Sequence, residues 1–239
     1  MKNDFRDLFR YNRKSMWKIC LLAGIVILLA AGSFFLFRSS ETVTVICMGD
    51  SITYGSGVKE TRERDSYPAQ LKALLGKRYQ VFNYGVGGKT LLDTADKPYR
   101  DTGYLEKVVH GKPNMIVLML GTNDSRPNNW NRDEFRRQYV ALVQELQKIA
   151  SSPKICIMVP PKAFPNEEGR VIYQIDDDVI REQIAGIVKK TAEDTGVSCI
   201  NLYELTEKHP EYFADGVHPN REGNQVIARE VSRWIKESD

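Results

Sequence analysis

Cysteine, which forms disulfides, and histidine, which with cysteine binds many metal ions, are both scarce in this sequence. Its 239 residues include 4 cysteines and 3 histidines, with no Cys-x-x-Cys pair and no Cys/His spacing suited to zinc. We therefore expect no metal and no other cofactor. Cys47, Cys156 and Cys199 each lie in an apolar, β-branched run, which predicts buried free thiols. A bridge between Cys156 and Cys199 is the alternative if their strands are neighbours.

A strong excess of positive charge is also absent from most of the chain. From Ser39 onward there are 27 basic and 29 acidic residues, whereas residues 1–18 hold six basic residues against Asp4 and Asp7. Nucleic-acid affinity comes mainly from neutralising phosphates, so nucleic acid is not an expected partner. The basic excess belongs to an N-terminal tail.

One long apolar run follows that tail. Residues 19–37 carry no charge, and Ser33 is their polar exception. As a helix the run would be about 28 Å long, which matches the hydrocarbon core of a bilayer. Together with the basic residues before it, the run predicts a transmembrane signal anchor with a cytoplasmic tail and an extracytoplasmic body, at the cell surface or in the periplasm. A cleaved signal peptide is the alternative, although its apolar region is usually roughly 7 to 15 residues long.

The predicted organisation is a basic cytoplasmic tail (1–18), a transmembrane helix (19–37), a short linker (38–41) and one domain (42–239). In the domain, short apolar runs alternate with longer amphipathic ones, which is typical of a parallel sheet covered by helices. This predicts an α/β fold, a three-layer α/β/α sandwich with a five-stranded parallel sheet. The predicted strands are Thr42–Met48, Gln80–Asn83, Met115–Leu120, Lys154–Val159 and Ser198–Leu202. The predicted helices are Pro68–Arg78, Gly103–His110, Arg132–Ala150, Asp177–Asp194 and Arg221–Lys236.

Unusual residues follow the predicted strands, at the sheet edge where open α/β folds bind ligands. They are residues 49–53 (Gly-Asp-Ser-Ile-Thr), 83–88 (Asn-Tyr-Gly-Val-Gly-Gly) and 121–124 (Gly-Thr-Asn-Asp), with 215–220 (Asp-Gly-Val-His-Pro-Asn) before the last helix. Taken singly, each has an ordinary explanation as a helix cap or a turn. The four together at one edge favour a catalytic site.

Two other motifs fit these residues less well. Gly88, Lys89 and Thr90 end like a phosphate-binding loop, but Asn83 stands where that pattern requires glycine, so no nucleotide is expected. The G-x-S-x-G signature of α/β-hydrolases is absent around Ser51.

The four blocks together resemble the SGNH (GDSL-type) family of esterases and acylhydrolases, and the resemblance extends across residues 49–220. It implies a flavodoxin-like SGNH hydrolase fold and a serine hydrolase that cleaves carboxylic esters through an acyl-enzyme. It implies Ser51 as the nucleophile, His218 as the base and then the acid, and Asp215 as the residue that orients the histidine.

The resemblance also implies an oxyanion hole. Its donors would be the backbone N–H groups of Ser51 and Gly88, with Gly85 as the alternative glycine, and the side-chain amide of Asn123. These residue types suit the chemistry: a serine hydroxyl needs a nearby base such as imidazole, and a developing oxyanion needs fixed N–H donors. Asp215 and His218 stand close enough in sequence to face one pocket from a single loop.

The substrate is less sharply defined. Residues 120–130 resemble SGNH members that remove acetyl groups from carbohydrates, and Trp130 is a candidate for stacking on a sugar ring or for packing at the start of the next helix. Asp50 and Tyr54, beside the nucleophile, complete the candidate substrate-binding residues. No long apolar run lies near the blocks, which favours a small O-acyl ester, such as an acetylated glycan, over a lipid. The connection over residues 160–175 is long for a strand-to-helix link and is expected to shape the pocket, with Lys162, Phe164, Pro165 and Tyr173.

Two other functions stay open. A lipase, lysophospholipase or thioesterase-type acylhydrolase would use the same triad on a longer acyl chain. A catalytically idle surface protein would bind envelope polymer in the same pocket.

Overall fold

One parallel sheet organises the part of the chain that the computed structural model describes, residues 42–239. Its strand order is β2-β1-β3-β4-β5, the order of flavodoxin-like folds. This confirms the predicted α/β fold and its five-stranded parallel sheet. The strands are β1 (Val43–Gly49), β2 (Tyr79–Gly85), β3 (Met115–Met119), β4 (Lys154–Val159) and β5 (Ser198–Asn201).

Helices follow each strand, near the predicted positions but with different ends. The predicted helix Pro68–Arg78 ends at Leu75, because Gly76 adopts the left-handed backbone conformation at φ 78°. The predicted helix over Asp177–Asp194 contains a π-helical turn at Ile180–Ile184. The α-helices are Ser51–Tyr54, Arg62–Asp65, Tyr67–Leu75, Tyr104–His110, Arg132–Gln147, Asp177–Val179, Ala185–Thr195, Leu202–Thr206 and Arg221–Ser238. Segments of 3-10 helix lie at Ser56–Thr61, Tyr99–Thr102, Asn123–Ser125, Ile172–Gln174 and Pro210–Tyr212.

Two apolar clusters, one on each face of the sheet, hold three layers together. β3 lies in the centre and is buried along its whole length, which explains its uninterrupted apolar sequence. The first cluster joins the helices Tyr67–Leu75 and Arg221–Ser238 to the sheet through Tyr67, Leu71, Ile227 and Val231. The second joins the helices on the other face through Val108, Phe135, Leu142 and Val188.

The register of the strands brings the sequence blocks to one edge of the sheet. Gly49 pairs with both Gly85 and Met119, so β1, β2 and β3 end side by side. The fourth block precedes the C-terminal helix, where the Asn220 side chain accepts hydrogen bonds from the first N–H groups. At its other end, that helix is fixed by Asp239, which accepts a 2.6 Å hydrogen bond from the Tyr79 hydroxyl.

The cysteines agree with the sequence prediction at two positions and differ at a third. Cys47 and Cys156 are buried free thiols, as predicted, whereas Cys199 is exposed. The reason is that β5 lies at the edge of the sheet, so no neighbouring strand covers one of its sides. Cys156 pairs with Ser198 and Cys199 pairs with Ile157, so the two side chains point to opposite faces and do not form a disulfide.

Residues 42–239 form one compact unit. None of the helices within that unit is long and apolar enough to span a bilayer. The predicted tail, transmembrane helix (19–37) and linker lie outside the described residues, so the anchor stays a prediction.

Gly85 lies where β2 meets the turn that carries Ser51. A Cβ at this position would lie 2.1 Å from the Tyr54 nitrogen and 2.5 Å from the Thr53 carbonyl carbon, both backbone atoms that cannot rotate away. We expect Gly85→Ala to lower the free energy of unfolding by about 1–3 kcal/mol or more, measured by urea denaturation. Gly87→Ala is the matched control, because its Cβ would meet nothing within 4 Å. Equal denaturation midpoints for the two variants would contradict this account of the packing.

Candidate active site

Three side chains from the two ends of the domain meet at the carboxyl edge of the sheet. The Ser51 hydroxyl lies 2.9 Å from Nε2 of His218. Nδ1 of the same ring lies 2.7 Å from Oδ2 of Asp215. A carboxylate only accepts hydrogen bonds, so Nδ1 carries the proton and Nε2 is left to accept from the serine hydroxyl. The structure therefore brings together the three residues that the sequence predicted as a triad.

Ser51 is presented by a tight turn between β1 and a short helix. Asp50 caps that helix by accepting a 2.9 Å hydrogen bond from the Ile52 N–H. Ser51 is the first helical residue, so its own N–H has no acceptor within the helix. The turn thus directs a hydroxyl and a backbone donor toward the same edge.

His218 is presented by a loop that Asp215 folds. Oδ1 of Asp215 accepts the N–H groups of Val217 at 3.0 Å and His218 at 2.7 Å, while Oδ2 holds the imidazole. Gly216 adopts φ 85°, and a Cβ there would lie 2.5 Å from the Phe164 carbonyl oxygen. The short Asp-x-x-His spacing thus has a geometric reason: one carboxylate shapes the loop and orients the ring.

The charge on Asp215 is stabilised by those same bonds. Partial burial alone would raise the pKa of this carboxyl, but the hydrogen bonds and charge of His218 outweigh it and lower the pKa to about 2. Asp215 is therefore ionised at neutral pH. An ionised carboxylate at Nδ1 favours an imidazole that takes a proton at Nε2.

Two other carboxyl groups at this edge lie in the opposite environment. Burial raises the pKa of Asp50 to about 6, despite the hydrogen bond from Ile52 and the charge of His218. Oδ2 of Asp50 is buried and accepts no hydrogen bond within residues 42–239. The nearby Thr122 hydroxyl nevertheless lowers the pKa of Asp50 and so offsets part of the effect of burial. Burial likewise raises the pKa of Asp124 to about 7. Ionising these two groups in the folded protein is therefore costly.

Asp124 nevertheless has a clear structural role. Its two oxygens accept the N–H groups of Leu91 at 3.0 Å and Leu92 at 2.9 Å. These bonds tie the loop after β2 to the loop after β3. They hold the segment that contains Gly88 beside Asn123.

The backbone distinguishes the two candidate oxyanion glycines. The Gly85 N–H donates a 2.9 Å hydrogen bond to the Asn83 side chain, and its missing Cβ is explained by packing against the Ser51 turn. Gly88 has φ 74°, and its N–H donates to no acceptor within residues 42–239. Gly88 is therefore the glycine with a donor to offer.

Asn123 is held at three points. Its Oδ1 accepts a 2.6 Å hydrogen bond from Arg126, and its Nδ2 donates at 3.0 Å to the Lys89 carbonyl oxygen, beside Gly88. Its own carbonyl oxygen accepts from Asn129 at 3.0 Å. Because Arg126 donates to the Asn123 side chain, the atom it contacts must be the amide oxygen. The second N–H of the Asn123 amide therefore stays available as a donor.

The predicted substrate-binding residues are placed less favourably. Asp50 is fully buried and caps a helix, and the Tyr54 ring is covered by the Arg62 guanidinium at 3.9 Å. Trp130 packs against Phe135, with ring centroids 5.3 Å apart, and donates to Gln183. For Trp130, the packing alternative therefore describes what the structure shows.

Sequence reasoning named Tyr173 only as part of the segment expected to shape the pocket, and it missed Arg126. The Tyr173 ring lies edge-on to His218 at 5.3 Å, and its hydroxyl lies 3.5 Å from Oδ2 of Asp215. The prediction that residues 160–175 shape the pocket included Tyr173, but not its contacts with His218 and Asp215. Arg126 follows the third block directly, and its role depends on a contact with Asn123 that spacing alone does not reveal.

The described residues contain no group of three or more His, Cys, Asp or Glu side chains arranged to hold a metal ion. Their hydroxyl, imidazole, carboxylate and amide groups instead have the arrangement of a serine hydrolase on a flavodoxin-like sheet.

Comparison with known proteins gives the family. Residues 47–226 match the model of the GDSL-like lipase/acylhydrolase family, which is most of the chain. The chain belongs to this family. The resemblance inferred from the four blocks is thus confirmed.

Two relatives illustrate the similarity in sequence. An acetylxylan esterase of Xylanibacter ruminicola is 33% identical over 215 residues, covering 82% of this chain and 44% of the relative. A GDSL esterase/lipase of Arabidopsis thaliana is 26% identical over 149 residues, covering 53% of this chain and 61% of the relative. The chain therefore spans less than two thirds of the length of these two relatives.

Solved structures show the same fold at lower identity. Est24, a carbohydrate acetylesterase from Sinorhizobium meliloti, superposes with a TM-score of 0.69 at 20% identity, covering 82% of this chain and 100% of that one. The aryl esterase of M. smegmatis superposes with a TM-score of 0.67 at 18% identity, covering 82% and 99%.

The raised pKa of Asp50 predicts a pH-dependent loss of stability. Its pKa is about 6 in the folded protein against 3.8 for the free side chain, so the folded state is penalised as pH rises from about 4 to 6. Asp50→Asn keeps the oxygen that caps the helix and cannot ionise. We expect the variant to gain stability relative to wild type by about 3 kcal/mol between pH 4 and pH 7, measured by urea denaturation.

Asp215→Asn is the control of opposite sign. Its carboxyl has a lowered pKa, so the charge contributes stability above pH 4 that is lost as the pH falls through about 2. This variant should therefore be less stable than wild type at pH 7, by a margin that shrinks only below pH 4. A constant difference between Asp50→Asn and wild type from pH 4 to pH 7 would refute the burial argument.

Proposed function

We propose that the protein is a serine esterase that hydrolyses small O-acyl esters, O-acetyl groups on a carbohydrate above all. The observation that carries the proposal is the 2.9 Å contact between the Ser51 hydroxyl and Nε2 of an imidazole whose other nitrogen is held by Asp215. Ser51 attacks the ester carbonyl carbon as His218 takes its proton. Asp215 stabilises the imidazolium that results.

The remaining groups suit the intermediates of that reaction. The Gly88 and Ser51 N–H groups and the Asn123 amide act as donors to the oxyanion of the tetrahedral intermediate. His218 then protonates the leaving alcohol, which leaves the acyl group on Ser51. Water, deprotonated by the same imidazole, attacks the acyl-enzyme and releases the carboxylic acid.

Two observations support a small acyl group on a sugar. The relative that is 33% identical is an acetylxylan esterase, and a carbohydrate acetylesterase shares the fold. The open cleft beside the triad, about 320 Å³ in volume, is lined by Asp96, Arg126, Asn128, Asn129, Tyr173 and Gln174. Such a polar lining suits hydroxyl groups and gives little shelter to a long acyl chain.

An acyl-chain series tests this function. With aryl esters from acetate to palmitate, we expect kcat/KM to be highest for acetate. Ser51→Ala should reduce turnover to the level of buffer, and Asn123→Ala should lower kcat by about 10²- to 10³-fold because an oxyanion donor is lost. Ser56→Ala, a nearby serine outside the triad, is the matched control and should retain wild-type rates.

Other outcomes of that series separate the alternatives. A rate that climbs toward long chains would replace the proposal with a lipase or related acylhydrolase. Wild-type turnover no greater than that of Ser51→Ala would instead leave a binding protein. Full activity in Asn123→Ala would exclude the amide from the oxyanion hole.

The proposed location is the outer face of a membrane, with residues 19–37 as an uncleaved anchor. Support for this comes from the sequence alone: a charge-free run preceded by a basic tail. We expect the full chain to sediment with membranes and to be released by detergent but not by high salt, as detected by immunoblot. A chain beginning at Thr42 is the control and should stay in the supernatant. Recovery of the full chain in the salt wash, or of a form that has lost residues 19–37, would contradict the anchor.

A further inference from the structure

One residue that lines the cleft beside the triad has no role in the proposed reaction. This residue, Tyr173, lies edge-on to the His218 ring at 5.3 Å. During hydrolysis His218 must protonate the leaving oxygen, so the alcohol half of the ester has to lie on the imidazole side of the site. Tyr173 lies on that side, and the cleft extends from it to Arg126 and Asn129, which contact Asn123.

Most hydrogen-bonding groups on the floor of the cleft already have partners, and the exception, Nε of Arg126, is buried. The Asp96 carboxylate accepts hydrogen bonds from Asn129 at 2.9 Å and from Arg126 at 3.5 Å. The second N–H of the Asn129 amide donates to the Asn123 carbonyl oxygen. The carboxylate and the guanidinium thus neutralise each other. These residues hold Asn123 in place and offer little to a ligand.

The rim, in contrast, keeps its hydrogen-bonding groups free. Asn128 and Gln174 are exposed, and their side-chain amides form no hydrogen bond within residues 42–239. A neutral amide offers both a donor and an acceptor, as adjacent sugar hydroxyls do. The free chemistry of the cleft therefore fits a neutral polyhydroxylated ligand better than an anion or an alkyl chain.

The backbone at the rim is held in a costly conformation. Tyr173 has φ 59° and Gln174 has φ 58°, two consecutive left-handed residues that are not glycine. A side chain with a Cβ is sterically disfavoured in this conformation, and strain of this kind clusters at ligand sites. Its result here is a tyrosine that is 55% exposed, the most exposed large hydrophobic side chain in the described chain.

We propose that this cleft is the subsite for the alcohol half of the ester, which binds as a pyranose ring stacked on Tyr173. Asn128 and Gln174 hydrogen-bond to its hydroxyls. The C–H face of the sugar lies against the electron-rich face of the phenol ring. The inference rests on the proposed esterase function and adds to it the residues that select the sugar.

Paired substrates test the subsite. We expect Tyr173→Ala to lower kcat/KM for an O-acetylated methyl xyloside by about 10-fold, mainly through KM, which corresponds to roughly 1.4 kcal/mol. Ethyl acetate has no ring to stack, so its kcat/KM reports any effect of the variant on the triad, and the loss on the xyloside should exceed the loss on ethyl acetate by about 10-fold. Tyr173→Phe keeps the ring and should retain the preference for the xyloside. Phe82→Ala is the matched control, since Phe82 is another exposed aromatic residue and does not line the cleft.

A second variant guards against an effect of Tyr173 on folding or on His218. The double variant Asn128→Ala, Gln174→Ala removes only exposed amides and should lower the xyloside preference in the same direction. An unchanged ratio of xyloside to ethyl acetate in both variants would overturn the subsite, as would an equal loss on both substrates. Failure of the wild-type protein to hydrolyse either ester would instead refute the proposed function.

Discussion

The geometry of the site depends on the hydrogen bonds that the Asp215 carboxylate accepts. One oxygen accepts hydrogen bonds from two backbone N–H groups and so sets the shape of the loop, while the other accepts a hydrogen bond from Nδ1 of His218. Loop geometry, ring orientation and tautomer are therefore fixed by a single charged group. The same hydrogen bonds keep Asp215 ionised. The folding of the loop therefore also orients His218.

Much of this architecture could be predicted from the sequence. The apolar run of β3 predicted a strand, and alternation of such runs with amphipathic segments predicted the parallel sheet. Because parallel strands end at a common edge, the blocks containing Ser51 and Asn123 had to lie near each other. The pairing of Gly49 with both Gly85 and Met119 is the register that fulfils this expectation.

What could not be predicted depends on contacts between residues far apart in sequence. Cys199 lies in an apolar run like Cys47, and only the edge position of β5 exposes it. Trp130 precedes a helix in either interpretation, and its packing on Phe135 settles its position without a sugar. The left-handed backbone that presents Tyr173 leaves no mark in composition or periodicity, because neither it nor Gln174 is a glycine.

Ser51, the proposed nucleophile, and His218, its proposed base, are separated by 167 positions along the chain. A ribosome therefore completes β1 and the Ser51 turn long before it adds the histidine. Until that last segment joins the fold, the hydroxyl has no proton acceptor and is no more reactive than any other serine. The order of synthesis thus leaves the proposed nucleophile without its base until residues 215–218 have joined the fold.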